Sequence, residues 1–147
     1  MIRRSCKTIQ TDIAAIRGYL DNNPKIKINL KQEDIQDKKV TVREYRAIFL
    51  STKVFESLIH SEVFAHFESE TQTNLVELYY RIELNNDNIS RNTDVLISKA
   101  KYPQSKQELQ NVEYDFETSI ADYQDELSSF LVKAEESIKN ELQKIES

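Results

Sequence analysis

Two histidines, one cysteine and one glycine are the residues from which chemistry would have to be assembled in this chain of 147 residues. Glu56 and His60 stand four apart, as do Glu62 and His66. On a helix that spacing puts each pair on one face, where a carboxylate and an imidazole could share a metal ion. Bundles that bridge metals with carboxylates, however, place Glu and His three apart and add glutamates from facing helices. Both pairs here fall on one short segment, so they read as solvated helix pairs or as a histidine closing a helix end. His60 as a phosphate acceptor lacks the lysine and glycine expected just after it. Cys6 has no second cysteine to pair with and lies on an apolar stripe, which predicts a small buried hydrophobe. Gly18 falls inside a helical pattern. A phosphate-cradling loop and a nucleophile elbow both need glycine where backbone approaches ligand or takes positive φ, so neither is available. No catalytic residue, cofactor or metal ligand is predicted, and the chain is not expected to be an enzyme.

The elements that would position any site are long helices. From Glu68 to Ser147 there is no glycine and a single proline, Pro103. Leu75, Leu78, Ile82, Ile89 and Leu96 recur at helical spacing, with Asn85 and Asn92 at the seam positions a strict three-four alternation would fill with leucine. After the break, Leu109, Val112, Phe116, Ile120, Tyr123, Leu127, Phe130, Ala134, Ile138, Leu142 and Ile145 step by about 3.6 residues, the period of a straight helix in a bundle. Between the two runs, Pro103 lacks a donor and pushes Tyr102 out of the α region. Ser105 with Glu108 forms a capping box that restarts the helix. So short a connector predicts antiparallel neighbours over residues 69–99 and 105–146. At a rise of about 1.5 Å per residue these are about 46 Å and about 63 Å long, so the second should overhang the first.

Cover for the overhang is needed, because most helical stability comes from packing an apolar face. One source is an N-terminal helix carrying Cys6, Ile9, Ile13, Ile16 and Leu20 and ended by Asp21-Asn22-Asn23-Pro24; the other is a second copy of the chain. Residues 25–50 are predicted to be irregular or partly extended. Lys25 to Leu30 alternates as a strand would, Lys31 to Lys39 has the charge of an exposed loop, and Thr41 to Leu50 fits strand or helix equally. Ser51 or Thr52 should cap a short helix bearing Val54, Phe55, Leu58 and Ile59, with Val63, Phe64 and Phe67 plugging the end of the hairpin.

The net charge of −5 is unevenly spread: bases outnumber acids in residues 1–66, and acids outnumber bases from 67 to 147. The two ends should attract each other, a pattern that serves register and partner choice more than stability. An acidic chain without a basic stripe argues against nucleic acid, whose phosphates must be neutralised. No apolar stretch of about 18 residues is present, and none follows Arg3 and Arg4 to make a signal peptide, so no direct membrane insertion is expected.

Phe49-Leu50-Ser51-Thr52, Phe55-Glu56-Ser57-Leu58-Ile59-His60-Ser61, and Thr71-Gln72-Thr73-Asn74-Leu75 leading through Tyr79 and Ile82 to Asn86 resemble a loosely defined group of uncharacterised helical proteins from archaea and bacteria. The likeness spans about residues 45–92. It implies a helix-rich soluble region, often preceded in that group by a membrane helix, and no activity. Glu62 departs from the group's pattern, which places a glycine after the serine; that makes a left-handed helix cap there less secure.

The expectation is an all-α, single helical domain over 1–147: a long antiparallel helical hairpin with an N-terminal helix alongside. It would be a non-catalytic protein–protein interaction or scaffold module in the cytoplasm that associates with itself as a dimer. Leu131, Ile138, Leu142 and Ile145, on the overhang, are its expected interface, and Asn85 and Asn92 its register-specifying residues, since a buried amide is costly unless it selects a pairing. The alternative is a soluble membrane-proximal signalling or sensory module lacking its anchor, held at the membrane surface.

Overall fold

Two antiparallel helices, α4 (Ser69–Ala100) and α5 (Lys106–Glu146), form the axis of the protein in a computed structural model that describes residues 2–22, 27–46, 49–101 and 105–147. Both run uninterrupted, as a glycine-free apolar stripe allows. Ser105 caps α5 as its spacing predicts, its hydroxyl oxygen accepting from the Glu108 N–H at 3.1 Å. Tyr102 and Pro103, to which the break between the helices was assigned, lie outside the described residues.

The remaining elements are α1 (Ile2–Asn22), β1 (Lys27–Ile35), β2 (Lys38–Arg46), α2 (Lys53–Ile59) and α3 (Glu62–His66). The protein is all-α apart from the two-stranded sheet. Helix α1 runs antiparallel to α5, with Arg3 paired to Glu146 and Arg17 to Glu135. Cys6, Ile9, Ile13 and Ile16 are buried, as their three-four spacing requires. Asn23 and Pro24, expected to help end this helix, fall outside the described residues, although its last residue is Asn22.

The stretch from Lys31 to Lys39, expected to be a loop, is instead the end of β1, a two-residue turn at Gln36 and Asp37, and the start of β2. The ladder pairs Lys27 with Arg46 through to Ile35 with Lys38. Both turn residues have positive φ, 51° and 62°, as the tight turn of a two-residue hairpin demands. Neither is a glycine, which is why the turn leaves no local signal. Thr41 to Arg46, equally compatible with helix and strand, is strand because β1 supplies its partner.

Two apolar clusters lie in series along the hairpin. The larger joins α1, α2 and α3 to Leu75, Leu78, Tyr79 and Ile82 of α4 and to Leu127, Leu131, Ala134, Ile138 and Leu142 of α5. Among the described residues, the smaller is made by α4 and α5 alone: Ile89, Leu96, Phe116 and Ile120, with Val112 against them. Asn85 and Gln124, both buried, sit between the two. On α5 the stripe departs from its expected course at three places: Tyr123 and Ile145 are exposed and Phe130 half-buried, while Gln124 and Leu131 take buried positions. The seam keeps its mean period but steps by four, from Ile120 to Gln124 and from Leu127 to Leu131, where the expected residue lay three away. Phe130 is left at the seam edge, its ring under the Arg81 guanidinium at 4.8 Å, a contact worth about 0.5–1 kcal/mol at such sites.

Helix α5, at 41 residues against 32 for α4, is the longer as expected, but its carboxyl-terminal end is covered within the chain. The Glu141 carboxylate accepts from the Glu68 N–H and from the Thr71 hydroxyl, each at 2.9 Å, Lys144 pairs with Glu68, and Arg3 of α1 pairs with Glu146. Residues 62–68 and α1 fill the space that helix lengths alone leave open.

Candidate functional site

The polar layer between the clusters begins with Asn85, a residue 3% exposed whose Oδ1 and Nδ2 find no hydrogen-bond partner in the described structure. An unpaired buried amide costs about 1–3 kcal/mol, so the residue opposes the stability of the helix pair it sits in. A cavity of about 50 Å³ adjoins it, lined by Arg81, Leu84, Asn88, Tyr123, Glu126 and Leu127. Asn92, the second expected register residue, is half-buried. Asn86, one position from Asn85, has a different task. Its side-chain amide accepts from the Leu50 N–H at 3.0 Å and donates to the Leu50 carbonyl at 2.8 Å, tying the segment before α2 to the middle of α4.

A second polar group lies at the other end of the main cluster. Glu141, 7% exposed, closes the amino terminus of α4 from across the interface, where unpaired N–H groups and the helix dipole favour a carboxylate. Beside it, burial and the negative charge of Glu141 push the Cys6 thiol up to about 11, so the thiol is held in its unreactive form. Glu141 was missed from the sequence. Its one trace there is its place three residues after Ile138, an acid on an otherwise apolar stripe.

Of the expected interface residues, Leu131, Ile138 and Leu142 are buried within a single chain, where α1 contributes to their cover; Ile145 remains 39% exposed. Tyr79 is buried. It stacks on Phe55 at a ring separation of 4.5 Å and donates its hydroxyl hydrogen to Asp12 of α1, and both burial and that carboxylate raise its phenol well above the usual range. His60 and His66 are exposed. Glu56 accepts a hydrogen bond from the Thr52 hydroxyl at 3.0 Å. Among the described residues no group of three His, Cys, Asp or Glu side chains is placed to hold a metal ion.

Two surface features stand apart from this interior. One is the hairpin arm around the second cluster, with Val95, Ile97 and Tyr114 on its surface, Tyr114 at 68% exposure. From residue 107 to 132, α5 contains no lysine or arginine, while Glu108, Glu113, Asp115, Glu117 and Asp122 all fall there. The other is a groove of about 460 Å³ between α1 and α2, floored by Ile9, Val54 and Leu58 and rimmed by Arg4 and Lys53. Neither was singled out from the sequence. The arm was legible as an acidic run, but its exposure depends on where α1 ends.

No protein-family model, curated protein or solved structure matches the chain.

Proposed function

We propose that this chain is a non-catalytic protein–protein interaction module, cytoplasmic, that associates with itself. The observation supporting this reading is the hairpin arm. Its two helices bury Ile89, Leu96, Phe116 and Ile120 against each other with no third helix in that cluster among the described residues, and leave Val95, Ile97 and Tyr114 on the surface. Exposed large apolar side chains of this kind are what a protein partner covers at little cost, since aromatic anchors carry much of the energy of such contacts. Static light scattering over a hundredfold range of concentration tests it: a mass rising above the 17.2 kDa of one chain is expected. A mass fixed at one chain throughout rules out self-association.

A membrane-proximal module is the second reading. The exposed Arg3, Arg4 and Lys7 at the head of α1, with no acid before Asp12, favour it, because such cations are drawn to anionic headgroups. Among the described residues no helix is long and apolar enough to cross a membrane.

A further inference from the structure

We propose that the groove between α1 and α2 receives Tyr114 and its flanking acids from a second copy of this chain. This inference rests on the self-association reading above and names the surfaces that perform it. The groove has an apolar floor of Ile9, Val54 and Leu58 beneath two exposed cations, Arg4 and Lys53. Among the described residues neither cation has an ion-pair partner. The arm carries the complementary set: an aromatic side chain 68% exposed, with exposed Asp115 next to it and exposed Glu117 one helical turn on. An apolar anchor with carboxylates around it fits an apolar slot with cations at its rim.

The two surfaces cannot meet within one chain. The groove lies at the end of the molecule where Arg3 pairs with Glu146 and Cys6 is beside Glu141. From Glu141 back to Tyr114 along α5 is about 40 Å at about 1.5 Å per residue, several times the Debye length of about 8 Å at physiological salt. Neither surface therefore neutralises the other in the monomer. A second copy laid antiparallel brings groove to arm and arm to groove, so the contact is made twice under one twofold axis. With a net charge of −5 on each copy, the pair holds only through this local complementarity, and added salt weakens it.

A charge-exchange experiment on the full chain tests the assignment. One variant carries Arg4→Glu and Lys53→Glu, the other Asp115→Lys and Glu117→Lys; all four positions are exposed, and circular dichroism checks that both variants keep their helices. Sedimentation velocity is expected to show the unmodified chain pairing, each variant alone weakened about tenfold or more, and an equimolar mixture pairing again, because every groove then meets an arm of opposite charge. Tyr114→Ala should weaken the unmodified pair without changing its salt dependence. If the unmodified chain associates but both variants associate equally well alone, the groove–arm contact is overturned and self-association stands on another surface. A chain that is monomeric at every concentration overturns both. So does a monomer that binds phosphatidylserine vesicles through Arg4 and Lys53, since the groove's partner is then a membrane.

Discussion

Asn85 and Cys6 show two ways in which a single buried residue shapes the stability of this protein. The Asn85 amide is desolvated without a partner, so Asn85→Leu should raise stability by about 1–3 kcal/mol, read as a higher urea midpoint. The same variant tests whether the amide selects the pairing: a seam apolar at every step should tolerate shifted registers, seen as broadened amide spectra despite the higher midpoint. A lower midpoint would mean that the site cannot accept a branched apolar side chain. Cys6 acts through pH. Its thiol titrates near 9.0 when unperturbed and near about 11 in the fold, so the folded state holds the proton longer than the unfolded chain. The stability this represents is fully present below about pH 9 and is lost as pH rises through about 11. Cys6→Ala should flatten that part of a stability–pH profile, and in the native protein the thiol should react with a disulfide reagent far more slowly than in urea. Fast native labelling would contradict its burial.

At the scale of elements, helix ends decide where the long helices start. Helix α5 is capped locally by Ser105, whereas α4 has no side-chain cap from its own N-cap residue and is closed by Glu141 from α5. Ser105→Ala should therefore cost about 0.5–2 kcal/mol as a lost local cap. Glu141→Gln keeps an acceptor for Glu68 and Thr71 but removes the charge at the helix terminus, and should cost about 0.3–2 kcal/mol. Urea titrations of the two variants compare the two kinds of cap. An unchanged midpoint for Ser105→Ala would show that the serine contributes nothing. The Ser105 cap was legible because donor and acceptor lie three residues apart. The Glu141 cap was not, since its partners Glu68 and Thr71 are about seventy positions away in the chain.

Over the whole molecule, the two clusters should differ in local stability. The body gathers α1, α2, α3 and both long helices around one core, while the arm is held by two helices and a few side chains, and regions with fewer buried apolar contacts open more readily. Hydrogen exchange should proceed faster in residues 89–96 and 112–120 than in 75–82 and 127–142. Equal protection in both would mean that the Asn85–Gln124 layer does not divide the hairpin into separately opening parts.

The amino-acid sequence by itself determined the long helices, their antiparallel turn-back, the buried stripe of α1 and the restart at Ser105. Each of these is written in spacings of three or four residues or in a local cap, and such short-range patterns are readable one element at a time. Tertiary structure alone decided the rest. It placed α1 and residues 62–68 where an overhang was expected, and so buried Leu131, Ile138 and Leu142 inside one chain. It paired Lys31–Ile35 with Lys38–Val42 across a turn that has no glycine. It also left Tyr114 exposed on an arm far from the cationic groove. These outcomes depend on which surfaces meet across long stretches of chain, and periodicity states that a face must be covered without stating what covers it.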